Sequence, residues 1–185
     1  MAGLIGHGDA FVLRDPAGIR PAYKYADDEI VVVASERPAI QTVFNVPFES
    51  ITEIEPGEAL IIKKSGEHFT SQILEPLEKK ACSFERIYFS RGSDKEIYQE
   101  RKALGRYVFP EVLKAIDGDI QNSVFSYIPN TAEISFMGLI GEAQTHMNRL
   151  NQEQILSRKT RMSEEDLNEI LNVRPRIEKV FSYHL

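Results

Sequence analysis

The strongest constraint on this chain's fold is its punctuation. Between Leu4 and Leu74, short apolar runs rich in Val, Ile and Phe are broken every few residues by turn-forming sequence. That pattern suits β-strands and leaves no room for long helices. Asp15-Pro16-Ala17-Gly18 separates Ala10–Arg14 from the segment Arg20–Tyr25, and Asp27-Asp28 leads into Ile30–Ala34. Pro56-Gly57 precedes Ala59–Ile62, and Ser65-Gly66 closes the next hairpin. One helix is expected in this region, over Arg37–Phe44, with Ser35 as its N-cap and Pro38 inside the first turn, where a missing N–H costs little.

The character changes at Ala81. Phe84–Arg91 reads as one more strand, and Gly92–Ile116 as a helix with Ile97, Leu104, Val108 and Leu113 along its buried side and a kink or break at Pro110. Ser123–Ile128 is a strand of the buried type. It runs through Pro129-Asn130-Thr131-Ala132-Glu133 into an apolar helix, which is the opening of an α/β unit. It is the only strand counted after residue 122, so this unit looks cut short. Ser163-Glu164-Glu165-Asp166 starts a further helix, with its acidic residues at the positive end of the dipole.

Charge and cysteine content narrow the function classes. Lys plus Arg number 22 against 28 Asp plus Glu, a net charge of −6, so phosphate backbones and anionic lipids find no general attraction and no nucleic-acid partner is expected. Cys82 is the only cysteine among 185 residues. No intrachain disulfide can form, and the expected compartment is a reducing cytoplasm. The first residues lack a basic start before an apolar run, and nowhere do eighteen apolar residues follow one another, so neither secretion nor membrane spanning is expected.

Site chemistry is sparse. His7, His68, His146 and His184 fall at no spacing that places two on one face, and no metal site is expected. Gly3, Gly6 and Gly8 lack the helix and lysine of a phosphate-cradling loop and read as hairpin glycines. Cys82 has no neighbouring base and reads as a small buried or half-buried thiol. The strongest positional candidate is the strand-end loop carrying Asn130 and Thr131, because such loops present phosphorylated ligands to a helix N-terminus. Its plain alternative is a helix N-cap by Asn130 or Thr131 with no ligand.

Four motifs in order carry a resemblance: G-L-I-G-H-G-D-A-F-V-L-R-D-P-A-G-I-R-P-A from Gly3, V-V-A-S-E-R-P-A-I from Val32, E-I-E-P-G-E-A-L from Glu53, and C-S-F-E-R-I-Y-F-S-R from Cys82. Together they resemble the amidophosphoribosyltransferases, the glutamine phosphoribosylpyrophosphate amidotransferase family, and the likeness continues more weakly through Ile97–Arg101 and Ile128–Thr131. The Arg-Asp-Pro-x-Gly-Ile-Arg-Pro turn followed by Tyr-Phe-x-Arg favours this family over glutamine amidotransferases of the glucosamine-phosphate synthase type.

The resemblance implies an α+β chain: the second half of an N-terminal-nucleophile αββα sandwich with mostly antiparallel strands (residues 1–83), an interdomain strand and helix (84–122), and the first βα unit of a phosphoribosyltransferase α/β domain (123–185). It implies the family reaction, in which ammonia released from glutamine displaces pyrophosphate from magnesium phosphoribosylpyrophosphate to give phosphoribosylamine, opening purine synthesis. The family nucleophile is a terminal cysteine whose own α-amino group is the base. Ala2 occupies that end here, so no catalytic residue is assigned and the chain alone is expected to be inactive. Asn130 and Thr131 are placed on the phosphoribosylpyrophosphate side, and Tyr88 and Arg91 at the domain junction. Arg14, Asp15 and Arg20 are read as structural, with a ligand contact by Arg14 or Arg20 as the alternative.

Three departures from the family pattern stand out. Gly92-Ser93-Asp94 replaces the usual Pro-Asp-Ser and a longer insertion. Ala132 stands where a ligating serine is common, with Thr131 the nearest substitute. Cys82 aligns with the first cluster ligand of iron-sulfur members, yet no cluster is expected in this chain. Half a sandwich also exposes sheet surface, which predicts self-association. A rival reading is a non-catalytic interaction or scaffold protein derived from a glutamine amidotransferase.

Overall fold

The computed structural model describes residues 1–158 and 162–178. The chain is α+β and divides into two compact units between Asp94 and Lys95.

The first unit contains β1 (Ala2–Leu4), β2 (Ala10–Leu13), β3 (Tyr23–Ala26), β4 (Val31–Ala34), α1 (Arg37–Phe44), a 3-10 turn at Phe48–Ser50, β5 (Thr52–Glu53), β6 (Glu58–Ile62) and β7 (His68–Gln72). These strands form two antiparallel sheets, ordered β1-β2-β6-β7 and β4-β3-β5. The predicted turns hold the registers. Asp15 accepts the backbone N–H groups of Ala17 and Ile19, and Asp27 accepts those of Glu29 and Ile30. Gly57 sits at φ 78°; a Cβ there would come within 2.4 Å of the Leu74 carbonyl oxygen, so the position needs glycine twice over.

Register pairs Phe11 with Ile61 and Val12 with Leu60. Alternation along β6 then puts Leu60 and Ile62 on one face of the larger sheet and Ala59 and Ile61 on the other. Leu60 and Ile54 are fully buried, and α1 packs on the smaller sheet through Ile40 against Tyr23, Ile51 and Val32. The opposite face of the larger sheet is an open apolar groove lined by Ile5, Phe11, Leu13, Ala59, Ile61 and Ile73.

Two expectations for this unit fail. The N-cap of α1 is Glu36, with no side-chain cap, rather than Ser35; the Glu36 carboxylate is engaged by Arg91 instead. Phe84–Arg91 is not a strand but contains a single π-helical turn, Glu85–Phe89, closed by the Ser90 N–H donating to the Glu85 carbonyl at 2.7 Å. The run Ile87-Tyr88-Phe89 lacks the alternation of a half-buried strand and would need cover on both faces to be a buried one. Here Phe84, Ile87, Tyr88 and Phe89 are exposed while Glu85 is buried.

The second unit contains α2 (Lys95–Ala115), β8 (Val124–Phe125), α3 (Glu133–Ser157), α4 (Glu164–Asn172) and β9 (Arg176–Ile177). Phe109, Ile120, Phe125, Ala143 and Met147 form its core. Helix α2 runs unbroken through Pro110: the proline forfeits one bond to the Arg106 carbonyl, and the core packing of Phe109 beside it holds the helix together. The buried stripe is Ile97, Arg101, Gly105 and Phe109, whereas Leu104 and Val108 are exposed. Gly105 displaces the expected stripe because α3 crosses there at backbone contact. A Cβ on Gly105 would lie 1.7 Å from the Ser135 carbonyl oxygen, and one on Gly138 would lie 1.9 Å from that of Lys102.

The strand expected over Ser123–Ile128 shortens to β8, and it is not alone. β9 pairs with it in parallel, Val124 opposite Arg176 and Phe125 opposite Ile177. Arg-Pro-Arg-Ile carries no strand pattern, which is why the count from sequence stopped at one. Helix α4 starts as expected: Ser163 caps the Asp166 N–H, and Asp166 returns a bond to the Ser163 N–H in a reciprocal capping box.

Candidate functional site

The strand-end loop of the second unit is built by β8 and α3. After Phe125 the chain turns at Asn130, whose φ of 84° lies in the left-handed region that asparagine tolerates. Its carbonyl accepts the Glu133 N–H at 3.3 Å. Helix α3 then begins with Ala132 as N-cap and no side-chain cap, so the cap expected from Asn130 or Thr131 is not formed. Asn130, Thr131 and Ala132 are exposed. The first-turn amides of α3 carry the positive end of a 25-residue helix without a capping side chain, the arrangement that attracts an anionic oxygen.

Behind this loop lies an apolar cavity of about 390 Å³ lined by Leu104, Val108, Tyr127, Ile128, Phe136 and Leu139. Tyr127 stacks on Phe136 with ring centroids 4.7 Å apart, which fixes the strand end against the first turn of the helix. The loop's aim is therefore set by packing, while its tip stays in water.

Tyr88 and Arg91 belong to the first unit, on the segment that leaves it. Tyr88 is exposed and meets Phe89 edge-on at 5.3 Å. Arg91 donates from Nε to Glu36 Oε2 at 2.9 Å.

Arg14 has the structural role read for it. It is buried; its guanidinium donates to the carbonyls of Arg20, Ile54 and Gly18 and pairs with Glu53 at 2.8 Å. Arg20 pairs with Glu85 at 2.6 Å.

Two constellations escaped the sequence. Arg37 lies between the rings of Tyr23 and Phe48, 4.6 and 4.0 Å from their centroids, and its Nη1 is 3.5 Å from Asp94. Burial pushes the Tyr23 phenol up. Asp9 is the second. Lys63 Nζ donates to it at 2.9 Å, the Lys64 N–H at 3.0 Å, and His7 Nε2 lies at 3.1 Å. These bonds, Lys63 first, hold the Asp9 carboxyl well below the usual carboxylate range. Partners 54 and 55 residues apart leave no local signal.

Asp9 has a pH consequence. A carboxyl depressed in the folded state stabilises it above the ordinary carboxylate pKa of about 4 and loses that contribution as the pH falls toward the folded value. Wild-type melting temperature should therefore drop on acidification below about pH 4, and Asp9→Asn should flatten that part of the curve while lowering the neutral-pH plateau. Parallel curves for the two proteins would contradict the assignment.

Among the described residues no group of three or more His, Cys, Asp or Glu is placed to hold a metal ion, and no helix is long and apolar enough to cross a membrane.

No family model matches the chain. Over 141 residues it is 33% identical to the amidophosphoribosyltransferase of Escherichia coli (strain K12), a stretch that is 71% of this chain and 27% of that enzyme. The chain is thus similar to part of the amidophosphoribosyltransferases. Among solved structures, one described as the allosteric regulatory enzyme of purine biosynthesis is 28% identical with a TM-score of 0.58, covering 72% of this chain and 28% of the other. The glutamine phosphoribosylpyrophosphate amidotransferase from B. subtilis, complexed with ADP and GMP, is 28% identical with a TM-score of 0.57, covering 73% of this chain and 28% of the other. The chain thus spans between 18% and 28% of the length of the amidophosphoribosyltransferases it matches. These likenesses give no support to a scaffold protein outside the purine enzyme's lineage.

Proposed function

We propose that this chain is the part of an amidophosphoribosyltransferase that carries the second half of its glutaminase sandwich into the start of its phosphoribosyltransferase domain. Residues 1–83 supply the sandwich half, 84–122 the interdomain segment and 123–185 the opening of the transferase domain. The whole enzyme moves ammonia from glutamine to phosphoribosylpyrophosphate, making 5-phosphoribosylamine in the cytoplasm. Tyr88 and Arg91 serve the junction between domains. The open apolar face of the larger sheet makes self-association the expected behaviour of the isolated chain.

The observation that carries this reading is the 33% identity sustained over 141 residues, across both units of the chain. Its site-level counterpart is the α3 N-terminus, left without a side-chain cap behind a strand-end loop. Asn130 and Thr131 lie on the phosphoribosylpyrophosphate side of that loop. Thr131 brings the hydroxyl that Ala132 lacks, and the first-turn amides of α3 face the ligand's anionic oxygens, with magnesium arriving on the ligand.

Calorimetric titration with magnesium phosphoribosylpyrophosphate tests this. Saturable binding is expected, weakened roughly tenfold by Thr131→Ala, the loss of one hydrogen bond to a charged group. A cooperatively melting protein that gives no heat would overturn the ligand role of the loop.

A further inference from the structure

The segment leaving the first unit is built with its charge inward and its apolar groups outward. Glu85 is 7% exposed, against 68% for Phe84, 49% for Ile87, 60% for Tyr88 and 55% for Phe89. Desolvation of the carboxylate and hydration of four apolar side chains both work against this arrangement. Ion pairs work for it: Arg20 with Glu85 at 2.6 Å, Arg91 with Glu36 at 2.9 Å, and Arg37 with Asp94 at 3.5 Å.

The three pairs differ in kind. The Arg91–Glu36 pair is exposed on both sides, at 63% and 29%, so water and salt weaken it; Arg20 is 76% exposed but meets a Glu85 side chain only 10% exposed, so solvent reaches that pair from one side. The Arg37–Asp94 pair is buried and backed by two aromatic rings. On the upstream side the backbone N–H groups of Leu77, Lys80 and Cys82 donate to the carbonyls of Pro16, Ala17 and Ile19. The stretch between is thus firmly anchored at both ends and latched in the middle by surface charge. Beneath it lies a narrow polar cleft, lined by Arg14, Tyr23, Glu53, Lys79, Cys82 and Glu85, with a free volume of about 20 Å³, room for one water.

We propose that residues 83–93 form a salt-sensitive strap that lifts as one piece between its two anchors and opens this cleft to solvent. The strap does not depend on the ligand role of the strand-end loop, since every residue in it belongs to the first unit.

The single cysteine reports on it directly. Cys82 is half-buried and lines the cleft, so its rate of alkylation by iodoacetamide, an uncharged reagent, follows the open population when reclosing is fast. Raising the sodium chloride concentration should speed labelling of the wild type. At low salt Arg91→Ala should speed it by about two- to fivefold, the range a surface ion pair is worth, although neither Arg91 nor Glu36 lines the cleft. Added salt should then do less to the variant than to the wild type.

The sign separates the strap from a local electrostatic effect. Removing or screening a cation near a thiol disfavours the thiolate and slows alkylation. A variant that melts like the wild type and is labelled at the wild-type rate overturns the strap. Should the variant not fold, labelling of the wild type that salt leaves unchanged or slows overturns it equally.

Discussion

Replacing Gly105 or Gly138 with alanine is expected to destabilise the second unit by about 3 kcal/mol or more each, at the upper end of overpacking costs. The reason is that the obstacle is backbone. An alanine Cβ would sit 1.7 Å from the Ser135 carbonyl oxygen or 1.9 Å from that of Lys102, and neither oxygen can rotate away as a side chain would. The two helices must separate, which pulls Phe109, Ala143 and Met147 out of register in the core they share. Gly141 is the control. It lies on the same helix with nothing within 4 Å of its added Cβ, so Gly141→Ala should gain about 0.5–1 kcal/mol from helix propensity alone. Urea denaturation followed by far-UV circular dichroism checks this, and equal midpoints for the three variants would show that the helices do not cross at backbone contact.

The second large effect is at Arg14. Arg14→Met should destabilise the first unit by about 3 kcal/mol, the lower end for breaking a buried pair. The substitution strands the carbonyls of Ile54, Arg20 and Gly18. Glu53 is left with Lys79 at 3.4 Å, which holds the cost down. Lysine should not rescue the site, because one ammonium cannot reproduce a planar fork serving four partners. Arg91→Met, whose side chain is 63% exposed and whose partner Glu36 is 29% exposed, should cost under about 1 kcal/mol. Thermal melts in which Arg14→Met and Arg91→Met fall together would contradict the distinction.

What could be read from the sequence was what is local. The Asp15 and Asp27 turns, the turn at Gly57, the hairpin at Gly66, α1 with its early proline and the Ser163 capping box are each decided within a few residues, and all are present. The misses have tertiary causes. The buried stripe of α2 includes an arginine and a glycine, which a search for apolar periodicity passes over, and β9 is a strand only because β8 lies beside it. The π-turn at Glu85 is fixed by Arg20, 65 residues away. Position was legible at the candidate site, because strand, short loop and helix follow one another in the chain; capping was not, since Asn130 spends its conformation on the turn and leaves Ala132 at the helix start. The Asp9 and Arg37 constellations join residues more than fifty positions apart and had no sequence signature.

If the second unit opens a phosphoribosyltransferase domain with its ligand end at the strand-end loop, as proposed above, amide hydrogen exchange with and without magnesium phosphoribosylpyrophosphate should reveal it. Ligand-dependent protection is expected on the backbone amides of Asn130–Glu133 and the first turn of α3, with the two sheets of the first unit unchanged. Binding that protects other amides and leaves this loop exchanging at its free rate would contradict it.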